Sequence, residues 1–208
     1  DAVEVRHFVT GAKSHIALAG PANKQGRIAA DHICGRRSAY TGALGTSVLK
    51  LFDLTAASTG LNEKQARAAG VAYDKVVTYS ASHASYYPGA RNMTVKTLFD
   101  PASGRILGAQ IVGFDGVDKR MDVLAAAIRA GLTAEQLTEL DLAYAPPYGS
   151  AKDPVNMAGY VIENVRAGLV EQHHWDAVAE LPYVREPHPM YDAMGGVPAI
   201  EEVRFSVA

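Results

Sequence analysis

The sequence predicts an α+β fold, in which helices pack on one side of an antiparallel sheet. Met93, Val95, Thr97 and Phe99 alternate with Thr94, Lys96 and Leu98, as the two faces of a strand do. A turn follows at residues 100–104, and residues 105–113 pair back as an antiparallel neighbour. Residues 116–131 then place their apolar side chains on one helical face. A run of neighbouring strands with helices collected on one side is typical of this class.

The first part of the chain is predicted to contain two helices and two strands. One helix runs from Gly20 to about Ile33 with Pro21 at its first position, where the missing N–H costs nothing. A strand over residues 47–55 follows, then a helix from Asn62 to Ala69 that Asn62 caps, and a strand over residues 71–80. The first helix is expected to turn three apolar residues inward: Ile28, Ala29 and Ile33.

Three helices are predicted in the second part of the chain. The helix of residues 116–131 lies between Gly116 and Gly131, and a short helix from Ala134 to Leu140 follows it. The last helix runs from about Asp153 to Arg166, and Pro154 suits its first position. The charged residues of the 116–131 helix are expected largely on its solvent-facing side: Asp118, Lys119, Arg120 and Asp122.

Two segments place tyrosines beside prolines. In Tyr144-Ala-Pro-Pro-Tyr148 the two prolines fix their own φ and restrict the preceding residue, so both phenols are presented with little entropy left to lose. The same combination occurs in Tyr86-Tyr-Pro88. A phenol presented in this way can donate a proton or a hydrogen bond. The alternative is a rigid interface turn whose tyrosines only pack against a neighbour.

These two segments also carry a resemblance to a known family. Together with the segments at residues 17–30, 44–50 and 113–124, they are similar to the C-terminal part of flavin-dependent coenzyme A-disulfide reductases, which belong to the pyridine nucleotide-disulfide oxidoreductases. The likeness runs from Asp1 to about Gly168. It implies that residues 1–35 are the end of an FAD-binding domain and that residues 38–168 are the dimerisation domain of FAD/NAD-linked reductases.

The resemblance implies a function shared between two subunits. In the family this domain lies over the flavin of the partner subunit, and by motif position Tyr86 and Tyr144 would be the catalytic tyrosines that enter the partner's active site. NAD(P)H would reduce FAD, electrons would pass to a cysteine–coenzyme A mixed disulfide, and a tyrosine would donate to the leaving thiolate. The substrate would be coenzyme A disulfide, a persulfide or a polysulfide. The alternative is a free-standing dimeric binding module without redox activity.

Further residues acquire candidate roles from the same resemblance. Asp1 would bind the ribityl chain of FAD. Backbone N–H groups at the start of the first helix would face the pyrimidine edge of the flavin, with contacts from Ala22, Asn23 and Gln25. The residues themselves offer a further candidate: the charged pair Lys119 and Arg120 on the 116–131 helix would bind coenzyme A phosphates, although the pair fits a solvated helix face equally well.

Several parts of a complete reductase are missing from these 208 residues. No G-x-G-x-x-G loop for FAD or for NAD(P)H occurs, and the only cysteine, Cys34, does not match the redox cysteine of the family. We interpret Cys34 as a small buried hydrophobe. We therefore expect a chain that starts inside a domain, binds neither cofactor by itself and is inactive in isolation. Residues 170–208 resemble the opening of a rhodanese-like domain that is truncated.

Composition and isolated histidines limit the remaining possibilities. A net charge of -2 with scattered Lys and Arg offers no basic face for nucleic acid, and no apolar stretch is long enough for a membrane span. A single cysteine makes no internal disulfide, so a cytoplasmic location is the default expectation. His83 is either a hydrogen-bonded structural residue or a metal ligand or base. His173, His174 and His188 lack companion ligands, so no metal site is predicted.

Overall fold

The computed structural model describes residues 1–174 of the chain. The chain divides into two compact units, Asp1–Glu171 and Gln172–Ala208. Every helix and strand described below belongs to the first unit. Most of the tail predicted to be rhodanese-like, from residue 175 onward, lies outside the described residues. In chain order the elements are β1 (Glu4–Arg6), β2 (Lys13–His15), α1 (Ala19–Ile33), β3 (Ser47–Leu51), β4 (Leu54–Gly60), α2 (Glu63–Ala68), β5 (Asp74–Ala81), β6 (Asn92–Phe99), β7 (Ile106–Gly113), α3 (Val117–Ala130), α4 (Ala134–Thr138) and α5 (Pro154–Arg166).

A five-stranded antiparallel sheet forms the centre of this unit, with the strand order β3-β4-β7-β6-β5. The predicted pairing across the turn at residues 100–104 is confirmed, because β6 and β7 are antiparallel neighbours with Val95 opposite Ile111. Helix α3 packs on β4 and β7, and α5 packs on β5 and β6. Apolar side chains from these strands and helices, including Phe99, Leu124 and Ile162, form one buried core. The α+β prediction is confirmed.

The single strand predicted for residues 47–55 is wrong, because the chain reverses in the middle of it. Strands β3 and β4 form a hairpin in which Leu51 pairs with Leu54 across a two-residue loop. Phe52 occupies this loop with φ of 52°, a left-handed conformation that non-glycine residues seldom adopt. Residues 48–54 contain no glycine or proline, and Asp53 is the only residue of the loop whose type favours turns, so the turn signal in the sequence is weak.

Helix α1 differs from its prediction in register and in burial. It begins at Ala19, which places Pro21 at the third helical position, where a backbone N–H still has no partner within the helix. No side chain of α1 is buried: Ala29 is exposed, Ile33 is 87% exposed and Ile28 is only half-buried, so the expected inward packing of Ala29 and Ile33 is wrong. Cys34, which follows the helix, is also exposed and is not the buried hydrophobe that was predicted.

Helices α2, α3 and α5 begin and end where their capping residues predict, whereas α4 ends at Thr138 and not at the predicted Leu140. Asn62 caps α2 in a capping box with Gln65, and Asp153 accepts a hydrogen bond from the Val155 N–H at the start of α5, where Pro154 is the first residue. Helix α3 lies between two glycines that both have positive φ. The start of α5 also fixes the end of the loop that carries Tyr144.

Candidate functional site

Tyr86 and Tyr144 form a hydrogen-bonded pair, although 58 residues separate them in the chain. Their phenol oxygens are 3.1 Å apart, and either hydroxyl is able to donate. Both side chains are open to solvent, with 76% of Tyr86 and 48% of Tyr144 exposed. The two tyrosines singled out from the sequence therefore meet at one place on the surface of the domain.

Tyr86 lies in a closed turn that joins β5 to β6. Ser82 and Arg91 pair at the base of this turn through a Ser82 N–H to Arg91 O hydrogen bond of 2.9 Å and an Arg91 N–H to Ser82 Oγ hydrogen bond of 3.2 Å. Within the turn the Tyr87 N–H donates to the carbonyl oxygen of Ala84 at 2.9 Å. Tyr86 consequently occupies a central position of a tight β-turn, from which its side chain projects outward.

Tyr144 lies in the loop that joins α4 to α5. The Tyr148 N–H donates to Ala145 O at 2.8 Å, which closes a tight turn around the two prolines. The Lys119 ammonium of α3 donates to Ala143 O at 3.4 Å and to Tyr148 O at 3.5 Å, so it bridges the two sides of this loop. A further hydrogen bond, from the Ala84 N–H to Pro146 O at 3.3 Å, joins the proline loop to the turn that carries Tyr86.

The pair keeps one phenol proton available for a third group. When one hydroxyl donates to the other oxygen, the second hydroxyl has no acceptor within the pair and is free to donate outward. The hydrogen bond with Tyr86 raises the pKa of Tyr144, and partial burial and the repulsion between two phenolates raise that pKa further. Tyr144 therefore stays protonated at neutral pH. Two such hydroxyls are suited to stabilise or protonate an anion that forms beside them.

The two basic residues proposed for phosphate binding have other partners. Arg120 is only 1% exposed, and its guanidinium donates to Asp153 and to the carbonyl oxygen of Gly116. It is therefore neither on a solvated face nor available to a phosphate, and both alternatives for this residue are wrong. Lys119 is half-buried and contacts the proline loop as described above. The sequence suggested phosphate binding because it showed the two charges side by side and not their partners.

The residues proposed to face a flavin lie at the start of the chain. Asp1 is exposed. Leu18, the residue before α1, makes no side-chain hydrogen bond to the free N–H groups of the first turn. The N–H of Ala22 donates to Leu18 O at 3.2 Å, and the side-chain amides of Asn23 and Gln25 donate to carbonyl oxygens of the same turn. The first turn is thus open for an anionic group, while the donors of these three residues serve the helix itself.

A cleft of about 610 Å³ lies beside α1, apart from the tyrosine pair. Gly20 and Lys24 of α1, Tyr40 of the following loop and Arg129 of α3 contribute to its walls. Arg129 already donates to Gly42 O and Thr41 Oγ1 and stacks on the Phe8 ring, so it is not a free cation. Neither Tyr86 nor Tyr144 lines this cleft, so its charged side chains are not part of the tyrosine site.

The remaining expectations concern metals and membranes. His83 is buried and hydrogen-bonded, which favours the structural alternative for this residue. Across residues 1–174 no group of three His, Cys, Asp or Glu side chains is arranged to hold a metal ion, and His188 lies outside that range. Among the helices of the described part, none has the length and apolar character needed to cross a membrane.

Sequence reasoning missed the residues that brace the loop of Tyr144. Asp153 was identified only as the start of a helix, and Lys119 as a phosphate ligand or a residue of a solvated helix face. The buried Arg120 offered one signal, because it falls one position before the apolar Met121 on the face that packs on the sheet. A charge at the margin of an apolar helical face is a reason to search for a distant partner of opposite charge.

Two family models match the chain. The model described as the pyridine nucleotide-disulphide oxidoreductase dimerisation domain matches residues 46–154, a range that holds the whole five-stranded sheet and both tyrosines. A second, described as radical SAM N-terminal, matches residues 133–206, of which residues 175–206 lie outside the described part. Neither is a rhodanese model, so the rhodanese-like interpretation of residues 170–208 remains without support.

Known proteins with similar sequences include two reductases. The chain is 40% identical over 148 residues to the coenzyme A disulfide reductase of Staphylococcus haemolyticus, a match that covers 71% of this chain and 33% of that protein. It is 36% identical over 163 residues to the NAD(P)H coenzyme A polysulfide/persulfide reductase of Pyrococcus horikoshii, with 78% of this chain and 36% of that protein covered.

A solved structure agrees with these sequence matches. The crystal structure of reduced CoADR-RHD from Bacillus anthracis superposes with a TM-score of 0.84 and 52% sequence identity, covering 86% of this chain and 32% of that one. The chain therefore spans about a third of the length of the proteins it matches.

Proposed function

Because the chain belongs to the pyridine nucleotide-disulphide oxidoreductase family, whose dimerisation domain it contains, we propose that it is the C-terminal dimerisation portion of an NAD(P)H- and FAD-dependent reductase. The substrate class is coenzyme A disulfide or a coenzyme A persulfide or polysulfide, as the names of its relatives suggest. The observation that carries the proposal is the hydrogen-bonded pair of Tyr86 and Tyr144.

The role proposed for the pair is to donate to a thiolate. When a disulfide or persulfide is reduced, one sulfur leaves as an anion that needs a proton or a hydrogen bond. Tyr144 stays protonated at neutral pH for the reasons given above, and the pair has one hydroxyl free to donate. Since the redox cysteine is absent from this sequence, the tyrosines would act on a sulfur held by another part of the reductase.

We propose that the two tyrosines act in the active site of a partner subunit in a homodimer. Both phenols project from turns into solvent, as expected of groups that complete a site elsewhere. The β3–β4 hairpin adds an uncovered apolar surface with Leu49, Leu51 and Phe52 exposed, which is typical of a domain that associates. In such a homodimer, both chains would contribute residues to each active site.

We further propose that FAD is the resident cofactor of the complete reductase, with the first turn of α1 facing its pyrimidine edge. The uncapped N-terminus of α1 fits an electron-rich ring, because free N–H groups and the helix dipole favour negative charge. When bound, FAD would accept hydride from NAD(P)H and pass electrons to the disulfide. Asp1, Ala22, Asn23 and Gln25 would then lie near the cofactor.

The test substitutes one phenol at a time in the complete reductase. Tyr144→Phe removes the hydroxyl and keeps the ring, and Tyr148→Phe is the matched control because this exposed tyrosine belongs to the same loop. We expect turnover of coenzyme A disulfide to fall about 10- to 100-fold in the Tyr144 variant, since general acid catalysis typically contributes this much or more. Flavin reduction by NAD(P)H should keep its rate in both variants. Tyr86→Phe repeats the test for the other phenol, and full turnover by both single variants would contradict the catalytic role of the pair.

A further inference from the structure

His83 lies buried inside the turn that carries Tyr86, with 6% of its surface exposed. Its Nδ1 is 3.1 Å from Ser82 Oγ, at the start of the turn, and its Nε2 is 3.3 Å from Pro88 O, beyond the two tyrosines. The ring also meets the Tyr87 ring edge-on, with centroids 5.8 Å apart. The imidazole therefore spans the segment in which Tyr86 sits and touches both of its ends.

The hydrogen bonds around His83 have only one consistent arrangement for a neutral ring. A carbonyl oxygen only accepts, so the contact with Pro88 requires the proton on Nε2. Nδ1 then accepts, and the Ser82 hydroxyl is free to donate to it because its oxygen already accepts from the Arg91 N–H. The result is a continuous chain of hydrogen bonds from Arg91 through Ser82 and His83 to Pro88, with every member satisfied. The nearest carboxylate, Asp115, has an oxygen 3.7 Å from Nδ1.

The same turn is attached to the loop of the other tyrosine. Ala84, the residue after His83, donates its N–H to Pro146 O at 3.3 Å, two residues beyond Tyr144. The hydrogen bonds of His83 thus hold the Tyr86 turn closed. They also hold Ala84, the residue through which this turn contacts the Tyr144 loop. The Tyr86 side chain is 76% exposed, so packing covers little of it.

We propose that His83 is a positioning residue that holds the Tyr86 hydroxyl against Tyr144, an inference that rests on the proposed function of the pair. The Nε2–H to Pro88 hydrogen bond is the contact that matters, because it closes the segment between His83 and Pro88 around Tyr86. His83 itself touches neither phenol oxygen. It acts through the backbone of the turn.

Two substitutions separate the contacts of the two ring nitrogens. His83→Gln places an amide nitrogen near the position of Nε2 and retains a donor for Pro88. His83→Asn reaches only the position of Nδ1 and retains the contact with Ser82. The readout is the titration of individual phenols in the 208-residue chain, followed by NMR of ring-labelled tyrosine, with Tyr86→Phe used to assign and calibrate the Tyr144 signal.

In the wild type Tyr144 should titrate at a higher pH than in the Tyr86→Phe variant, because the hydrogen bond raises its pKa. We expect His83→Asn to shift the Tyr144 titration to the Tyr86→Phe value, and His83→Gln to leave it at the wild-type value. Adding Tyr86→Phe to His83→Asn should produce no further shift. A folded His83→Asn variant with wild-type titration would overturn the proposal, as would a His83→Gln variant that behaves like it.

If His83→Asn does not fold, Ser82→Ala provides the second test, because it removes the hydroxyl that holds Nδ1. The Tyr144 titration should then stay at the wild-type value, as in His83→Gln, because the Nε2–H to Pro88 hydrogen bond remains, and a shift to the Tyr86→Phe value would contradict the role given to Nε2. These measurements need no catalysis. Loss of the proposed function, seen as full activity of Tyr144→Phe in the complete reductase, is therefore distinguishable from failure of the role assigned to His83.

Discussion

Arg120 of α3 and Asp153 at the start of α5 form a buried ion pair across 33 residues of sequence. Nη2 and Nε of Arg120 lie 2.9 and 3.1 Å from the same carboxylate oxygen, and the other oxygen accepts from the Val155 N–H at 3.0 Å. One carboxylate therefore both caps α5 and neutralises the only charge that α3 buries in the described part of the chain. This pair fixes the end of the loop that carries Tyr144.

Removing the arginine from this pair should destabilise the domain strongly. Arg120→Met leaves the Asp153 carboxylate buried without a counter-charge, and we expect the free energy of unfolding to fall by about 3–5 kcal/mol. Urea unfolding at neutral pH measures the loss. Asp153→Asn keeps an N-cap acceptor, and the double variant should lose less than the sum of the single losses because the pair is already broken. Additive losses would show that the two residues act independently.

The Lys119 bridge should matter for the tyrosine loop more than for global stability. Lys119→Met removes the contacts to Ala143 O and Tyr148 O but keeps most of the aliphatic stem. We expect a stability loss of only about 0.5 kcal/mol, with faster hydrogen exchange of the Tyr148 amide, because that hydrogen bond closes the loop. Lys152→Met is the matched control, since Lys152 is an exposed lysine nearby. Equal exchange rates in the two variants would contradict the bridge.

Local signals predicted most of this fold, and long-range partners explain the errors. The bounds of α2, α3 and α5 follow from caps and glycines that lie within one turn of the helix end. The burial of Arg120 depends on its ion pair with Asp153, and no pattern within one helix predicts a partner 33 residues away. The β3–β4 reversal uses Phe52, a residue that carries no turn signal.

The tyrosine pair lies between these two cases. Its members were identified from their prolines and their motif positions, but a hydrogen bond across 58 residues depends on how two loops meet. Helix α1 is a different case, because a correct local pattern led to a wrong prediction of burial. Its apolar spacing is real, yet none of the described elements buries it.

A glycine at the start of α3 is expected to be irreplaceable. Gly116 has φ of 66°, and a Cβ at this position would collide with the Arg120 guanidinium. Gly70 has φ of 64°, but a Cβ there meets nothing within 4 Å. Gly70→Ala is therefore destabilising only because alanine disfavours a positive φ. We expect about 1 kcal/mol of destabilisation for Gly70→Ala and clearly more for Gly116→Ala, measured by urea unfolding. Equal losses would mean that Arg120 moves aside without cost.

The isolated chain is expected to form a dimer. Light scattering should give about twice the chain mass of 22.1 kDa, because exposed apolar side chains on the β3–β4 hairpin favour association. An absorbance spectrum between about 350 and 500 nm on the same sample reports any bound flavin, whose ring absorbs in this range. A monomer at every concentration would contradict the dimer, and a flavin spectrum would contradict the expectation that this chain alone binds no cofactor.

Glu63 of α2 forms a charge cluster with lysines of β5 and β6. Its carboxylate pairs with Lys75 at 3.0 Å and with Lys96 of the neighbouring strand, and only 15% of its side chain is exposed. Burial by itself would raise the pKa of Glu63, but hydrogen bonds and charges from Lys96 and Lys75 outweigh it and lower the pKa from 4.5 to about 2.

This depressed pKa makes the stability of the domain depend on pH in one direction. The folded state holds the Glu63 proton more weakly than the unfolded state, so the carboxylate stabilises the fold above the unfolded pKa of 4.5, and this contribution is lost as the pH falls toward 2. Glu63→Gln should therefore cost roughly 1–3 kcal/mol at pH 7, with the difference from wild type shrinking below about pH 4.5. The control is Glu4→Gln, because the ion pair of Glu4 with Lys13 is exposed and should contribute little at any pH. A difference that persists unchanged at pH 3 would mean that the glutamine disturbs packing and that the charge of Glu63 contributes nothing.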